Sequence, residues 1–238
     1  LTIEVNSLAL EINREAADGS VVDYATGKTE LSVLNGPQSE LTLGIDGAHG
    51  ELTRLTGNLK LDLFGFVSVE GDFGIESKQG QVKLAGVQDD PATAEDETLV
   101  DVDMLLIGGS NLSAFVGAGD VGLNLSGMGL GVALMTERVD APAAGQPAVT
   151  PRSWTSAQAS IDSASFDGVE GLTIEVNTLA LQVNRQAADG TVVDYGLTAD
   201  SGDAADARNT ELEILTGPES SLSLEMDGAD GQLTRLTG

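Results

Sequence analysis

The chain has 238 residues, of which 41% are hydrophobic and only 3% aromatic, so a core must be built from Leu, Val, Ile and Ala. Acidic residues outnumber basic ones by 38 to 11, giving a formal net charge of -27, which argues against nucleic acid and anionic membrane surfaces as partners because both attract clustered Lys and Arg. The absence of Cys excludes disulfides and thiolate chemistry, and the single His leaves little acid–base chemistry near neutral pH.

Alternation of apolar and polar residues predicts β-strands from the first residue onward. The pattern runs through residues 1–5 and again through residues 8–12, and its parity changes at Asn6-Ser7, which predicts a bulge or corner. The triplet Glu70-Gly71-Asp72 predicts a tight turn between two short strands. The same alternation recurs at 41–45, 59–63, 67–75, 82–84, 121–125 and 157–166. No stretch shows convincing helical spacing.

A long internal repeat is the decisive feature of the sequence. Residues 172–195 repeat residues 1–24 with five differences, all conservative in shape, and residues 210–238 repeat residues 29–57. The offset between copies is 171 residues for the first block and 181 for the second, so the second copy carries ten extra residues in an acidic loop. We expect residues 1–171 to be one full repeat unit, residues 172–238 to begin the next, and the chain to be a window of a longer array.

The sequence therefore predicts an all-β, elongated repeat architecture. A β-solenoid-like rod is the first expectation, because few aromatic and many small residues suit a thin aliphatic interior. An antiparallel hairpin meander, or a tandem β-sandwich, is the alternative that the tight turns favour. The longest weakly polar stretch, Val121 to Met135, is too short to span a bilayer as a helix.

Two motifs that resemble catalytic or cofactor sites have simpler explanations. His49 is replaced by Asp230 in the second copy, so its imidazole is interpreted as a turn residue. The segment Gly117 to Gly122 matches a dinucleotide-binding pattern, but a strand pattern follows where that site needs a helix, so a glycine-rich turn is predicted. We find no constellation for an enzyme, and no catalytic residue is assigned.

Acidic side chains are the remaining candidates for a binding site. Hard oxygen ligands suit calcium, although the spacing of an EF-hand and the glycine-rich calcium repeat of β-rolls are both absent. If calcium binds, the best candidates are the carboxylates that bracket a tight turn in both copies, which are Asp18, Asp23, Asp189 and Asp194. The alternative is that Asp18 and Asp189 are turn residues and that the acidic surface serves solubility.

Several segments also resemble a known repeat type. They are NLKLDLFGFVSVEGDFGIE (58–76), LLIGGSNLSAFVGAG (105–119), LGVALM (130–135), SWTSAQASIDSASFDGVEGLTIEVNTLALQVNR (153–185) and AADGTVVDY (187–195). Together they resemble repeats of very large bacterial proteins, often those with an N-terminal LEPR-XLL motif. The resemblance implies a giant, acidic, secreted or surface-displayed repeat protein and carries over no catalytic residue.

These observations lead to one functional expectation and two alternatives. The first is a structural repeat segment of a giant extracellular bacterial protein, acting as a surface fibre, filament or adhesin stalk. Its partners would be neighbouring repeats of the same chain and copies of itself. The alternatives are a calcium-dependent adhesion module and an elongated β-groove that carries lipid. The lipid hypothesis needs a continuous exposed apolar stripe, for which Phe64 to Val67 is the best sequence candidate.

Overall fold

Strands form most of the regular structure of this protein. The computed structural model describes residues 1–25, 27–29, 31–87, 98–119, 121–139, 149–172, 174–196 and 212–238. Within them, two single 3-10 turns, Gly47–His49 and Gly228–Asp230, accompany the strands. The strands are β1 Thr2–Asn13, β2 Leu31–Gly36, β3 Ser39–Leu43, β4 Leu52–Leu63, β5 Val67–Ala85, β6 Leu99–Ala118, β7 Val121–Glu137, β8 Ser153–Asp167, β9 Ile174–Arg185, β10 Val192–Val193, β11 Glu213–Gly217, β12 Ser220–Ser223 and β13 Leu233–Thr237. The all-β prediction is confirmed.

One antiparallel sheet organises the molecule. Its strand order is β1-β4-β5-β6-β7-β8-β9-β13, and the short strand β10 pairs with β5 away from this path. Strands β2–β3 and β11–β12 form two separate hairpins. Stacked solenoid coils would bring parallel strands together, whereas all pairings described here are antiparallel. The described strands contain no solenoid coil and the main sheet is not closed, so the layout is the meander.

Bulges, rather than turns, interrupt the apolar pattern of the long strands. The register of β1 and β4 shifts between Val5 and Ser7, which confirms the bulge predicted at Asn6-Ser7. The turn predicted at Glu70-Gly71-Asp72 is wrong, because β5 runs through it without interruption as a strand of 19 residues. The bulge at this point lies on β6, where Asn111 and Leu112 stand opposite Gly71. A bulge changes the parity of alternation, so apolar residues stay on one face on both of its sides.

The two faces of the main sheet have different surroundings. One face carries Leu52, Met104 and Trp154. We call it the covered face, because a second layer lies over it. The opposite face, which carries Leu55, Ile75 and Ile107, is called the open face. Successive side chains of a strand point to opposite faces, so both sets come from the same strands. The buried core lies on the covered face, and its sheet residues include Val82, Leu84, Val102, Met104, Leu106, Ala133, Met135 and Trp154.

The second layer is formed by the described parts of the segment that joins β9 to β13, residues 186–196 and 212–232, which we call the second insert. It contributes Tyr195, Ile214, Leu224 and Met226 to the core, all of them almost fully buried. Its strand β10 extends the layer along β5, and its hairpin β11–β12 packs over β5, β6 and β7. The insert of one repeat copy therefore closes the core built by the strands of the copy before it.

Hydrogen bonds satisfy the polar groups buried between the two layers. The Tyr195 hydroxyl donates to Ser156 Oγ at 2.8 Å, and Ser156 Oγ donates to Asn184 Oδ1 at 3.1 Å. Asn184 Nδ2 in turn donates to the Val193 carbonyl at 2.7 Å. Burial raises the pKa of Tyr195, so the phenol stays neutral and keeps its proton for Ser156. This chain of bonds connects the second insert to β8 and β9.

Glycines make room for the hairpin of the second insert. Gly74, Gly108 and Gly131 are register partners on β5, β6 and β7, and we call them the glycine row. A Cβ atom on Gly74 or Gly108 would overlap the carbonyl oxygen of Leu215, so the backbone of β11 lies directly on this row. Ser110 fixes the hairpin tip, with its Oγ 3.2 Å from the Thr216 carbonyl. Only residues without a side chain allow so close an approach.

We expect Gly108→Ala to destabilise the protein by about 1–3 kcal/mol, because the added methyl group must push β11 away from β6. Urea unfolding followed by the fluorescence of Trp154, the single tryptophan of the chain, measures this directly. Gly129→Ala on β7 is the matched control, since its Cβ would meet Ser160 Oγ at an ordinary 3.4 Å. Equal losses of stability in the two variants would contradict the close approach of β11.

Candidate functional site

The predicted calcium ligands Asp18 and Asp189 occupy equivalent turns of the two copies. Asp18 Oδ1 accepts hydrogen bonds from the Ser20 amide and hydroxyl, which lower the pKa of this carboxyl. Asp189 Oδ1 accepts the same pair from Thr191, and its Oδ2 lies 3.3 Å from Arg152. Burial raises the pKa of Asp189, but the bonds from Thr191 and Arg152 outweigh it and leave that pKa below its ordinary value. Both carboxylates act as acceptors of a local turn.

The other two predicted ligands also tie distant parts of the chain together, Asp23 within residues 14–51 and Asp194 within the second insert. Asp194 Oδ1 accepts from the amides of Gly196 and Gly228, each at 2.9 Å. Asp23 Oδ1 accepts from the amides of Ala25 at 3.0 Å and Gly47 at 3.2 Å, which hold its pKa below the usual range. Each carboxylate therefore fixes the start of a 3-10 turn 24 or 34 residues away along the chain.

These positions do not build an obvious metal centre. Among the described residues, no group of three or more His, Asp or Glu side chains is placed to hold a metal ion. The acidic stretches at 88–97 and 197–211 lie outside the described residues, so the carboxylates that the sequence offers there have no placement. Calcium binding by Asp18, Asp23, Asp189 and Asp194 stays a prediction.

The other two sequence motifs lie in turns. His49 ends the 3-10 turn Gly47–His49, and its counterpart Asp230 ends the equivalent turn of the second copy. The segment beginning at Gly117 joins two strands, since β6 ends at Ala118 and β7 begins at Val121. Gly119 has a φ of 61°, which is a turn conformation. The interpretation of both motifs as turn elements fits this geometry.

A charged cluster lies on the covered face, next to the glycine row. Glu76 is 2% exposed, and its two carboxylate oxygens lie 2.8 Å from Lys78 Nζ and 3.3 Å from Arg54 Nε. Arg54 also bonds to Glu11 at 2.9 Å, so the cluster crosses β1, β4 and β5. Removing one partner of such a buried group is strongly destabilising. The sequence patterns did not identify Glu76 as a buried charge.

A second ion pair holds the buried tryptophan at the other end of the covered face. Arg152 makes two bonds to Glu137, at 2.9 Å and 2.7 Å, which lower the pKa of Glu137. Its guanidinium also stands 5.3 Å from the centre of the Trp154 ring. The indole Nε1 of Trp154 donates to the carbonyl and hydroxyl oxygens of Thr191, each at 3.2 Å. The tryptophan therefore belongs to the interface between sheet and insert.

The open face is the largest unexplained surface of the described residues. Register partners place one apolar residue on each of seven neighbouring strands, in a row made of Leu10, Leu55, Ile75, Ile107, Val132, Ala157 and Val183. A second row lies beyond the bulges and consists of Ile3, Leu61, Val69, Ala114, Leu125, Ala164 and Val176. Neither row contains a charged residue, although the chain as a whole has a net charge of -27.

The size of this surface exceeds what a monomer normally leaves in water. Seven strands span six intervals of about 4.8 Å, and with strands of about 40 Å they give a face of about 1,150 Å². The largest apolar patch of a typical monomer is about 300–600 Å². Side chains on this face remain accessible, with Ile75 37%, Leu105 38% and Leu134 39% exposed. Phe64 and Phe66, the sequence candidates for an apolar stripe, are exposed at its edge, and the two rows cross seven strands beyond them.

Comparison with known proteins gives no relative from which to infer a role. No family model, curated protein or solved structure matches the chain. No helix in the described ranges is both long and apolar enough to cross a membrane. The candidate functional surfaces are then the two that the geometry describes: the interface between the second insert and the sheet, and the open face.

We expect Asp194→Ala to lower the free energy of unfolding by about 1–3 kcal/mol, because two backbone amides lose a charged acceptor. Asp194→Asn keeps an oxygen at that place and should lose less. Urea unfolding followed by Trp154 fluorescence, in chelator and then in millimolar calcium, separates this structural role from metal binding. A loss that exists only in calcium would make Asp194 a metal ligand instead. Asp23→Ala in the first copy is the matched control for the turn itself.

Proposed function

We propose that this chain is a segment of a repeat array that acts as a structural fibre or stalk on a bacterial surface. The observation that carries the proposal is that both copies use the same strand register. Asn13 pairs with Leu52 and Ala9 with Thr56 in the first copy, as Asn184 pairs with Leu233 and Ala180 with Thr237 in the second. Because β9 also pairs with β8, the second copy extends the sheet of the first without a break.

This geometry supports an array that grows in the direction perpendicular to its strands. Each unit adds six strands to the main sheet, β1 and β4 to β8, before β9 begins the next unit. At a spacing of about 4.8 Å per strand, a unit adds about 29 Å of length. An elongated architecture then follows from copy number alone. The proposed site outside a bacterial cell rests on the resemblance to repeats of giant bacterial proteins.

The acidic surface suits this role. Extended sheets with free edges tend to associate with one another, and charge of one sign opposes lateral contact in water. The calcium-dependent adhesion module remains an alternative for the same array, and the calcium arm of the Asp194→Ala experiment tests it.

Three further copies of residues 1–171, placed before Leu1, should lengthen the particle by about 86 Å, or about 29 Å per copy. The junction Gly171–Leu1 then reproduces the sequence of the natural junction Gly171–Leu172. Particle length measured by electron microscopy for one, two and three added copies gives the increment. Separate globular particles joined by linkers, or a length that does not increase with copy number, would contradict the array.

The open face supports a second candidate function, an apolar groove that carries lipid. Two uncharged rows of aliphatic side chains cross seven strands, so acyl chains could lie along them without meeting a buried charge. The surface offers little polar recognition, which suits a ligand that is bound through its hydrocarbon part. In an array, such a face would run the length of the fibre.

Ile107→Lys should weaken binding of a fluorescent long-chain fatty acid at least about tenfold, because it places a charge in the middle of the first apolar row. Ser126→Lys, at an exposed polar position of β7, is the matched control and should leave binding unchanged. Trp154 fluorescence verifies that both variants are folded. Absence of fatty acid binding, together with dimers in sedimentation, would show that a second copy covers the face and would contradict lipid carriage.

A further inference from the structure

The segment that joins β1 to β4, residues 14–51, is the counterpart of the second insert, and we call it the first insert. The two have the same framework but different burial. Val193 and Ile214 are fully buried, whereas their counterparts Val22 and Val33 are 46% and 47% exposed. Leu212 is 5% exposed and its counterpart Leu31 42%. The first insert therefore presents to solvent several apolar side chains that its copy buries, among them Val22, Leu31 and Val33.

The internal geometry of the first insert already matches the buried copy. Asn13 Nδ2 donates to the Val22 carbonyl at 2.8 Å, as Asn184 Nδ2 donates to Val193 at 2.7 Å. The hairpin β2–β3 has the same register shift before its last pair, Gly36 with Ser39, as β11–β12 has before Gly217 with Ser220. The apolar surface is thus held in a binding-competent shape without its partner, which lowers the cost of docking.

The second insert shows which surface fits this shape. It rests on strands of the preceding copy, where Leu215 lies on Gly74 and Gly108 and where the Tyr195 hydroxyl bonds to Ser156. The equivalents of these contacting residues in the first insert are Leu34 and Tyr24. Leu34 is 73% exposed, the highest value among the exposed aliphatic side chains of this insert.

The position of the partner follows from the strand order. Strand β8 pairs with one edge of β9, so the sheet of the first copy lies on that side of β9. The second insert reaches back over β8 as far as β5. Strand β1 pairs only with β4 among the described strands, so its other edge is the equivalent place for a strand like β8. The first insert and this edge of β1 face the same region, where one copy of β4 to β8 would meet both.

We propose that the first insert and the free edge of β1 form one docking surface, whose occupant is a copy of strands β4 to β8 of another repeat unit. The hairpin β2–β3 lies on the glycine row of that unit, and its β8 pairs with β1. This inference rests on the proposed array and adds how consecutive units are held: each insert closes the core of the unit before it. The occupant is a preceding repeat of the same chain, as the first copy is for the second insert.

The test compares the thiol accessibility of equivalent positions, which is possible because the chain has no Cys. Val33→Cys is introduced into two proteins. The first is the 238-residue chain, and the second is a tandem in which one added copy of residues 1–171 precedes that chain. In the tandem, the substitution is made in the 238-residue part. Ile214→Cys gives the rate for the buried counterpart. Val169→Cys, 44% exposed in the turn after β8, is the control for a position that should not change.

We expect labelling of Val33→Cys to slow at least about tenfold in the tandem and to approach the rate of Ile214→Cys, while Val169→Cys is unchanged. Gly108→Ala in the added copy should restore fast labelling, and Gly129→Ala there should not. Fast labelling of the 238-residue chain at high concentration, together with slow labelling in the tandem, supports a preceding repeat as the occupant. Slow labelling of the 238-residue chain at high concentration contradicts this, because a separate chain then covers the surface.

Fast labelling of Val33→Cys in the tandem overturns the inference. If particle length still increases with each copy, the array survives and the units are joined through strand edges without insert docking. If length does not increase either, the proposed function fails as well. A tandem in which Ile214→Cys also labels fast has lost the interface present in the single chain, which likewise contradicts interlocked units.

Discussion

The contact of the β11 backbone with Gly74 and Gly108 is the constraint on which the rest of the structure depends. Because the hairpin lies directly on the strands, Ile214 and Leu224 reach the core and the side chains of β5 to β7 need to cover only a thin layer. This thinness explains how a chain with 3% aromatic residues can bury a core at all. The two large aromatic side chains of the core, Trp154 and Tyr195, have partners for their polar atoms in Thr191 and Ser156.

Charge is distributed to match these layers. Two arginines hold carboxylates on the covered face, as Arg152 holds Glu137 and Arg54 holds Glu76, whereas pairs such as Lys60 with Glu70 are exposed. The rows of the open face contain no charge, and beyond the bulges the other face of the same strands is polar, with Lys60 beside Glu70. The protein is therefore amphipathic at the scale of a whole sheet, and not only along single strands.

Local sequence patterns predicted the strands, the bulge in β1 and the equivalence of the two copies, since alternation and repetition are visible in one dimension. They did not predict the length of β5, because Glu70-Gly71-Asp72 has the composition of a turn, although the alternation of Val67, Val69, Phe73 and Ile75 continues through it. The glycine row was not recognised either. Gly74, Gly108 and Gly131 are far apart in sequence and become neighbours only through register. Nor could alternation tell which apolar face receives a second layer, since both faces of β5 to β7 carry aliphatic residues.

The even number of strands in a unit has a consequence for symmetry. Six strands separate the start of β1 from the start of β9, so both strands run in the same direction. Successive units are therefore related by a translation with a twist, and not by a reversal. All inserts leave the sheet at the same end of their strands and reach toward the same neighbour. A fibre built in this way has two chemically different tips, one with an uncovered sheet and one with an unoccupied insert, and so it has a polarity that an antiparallel sheet by itself lacks.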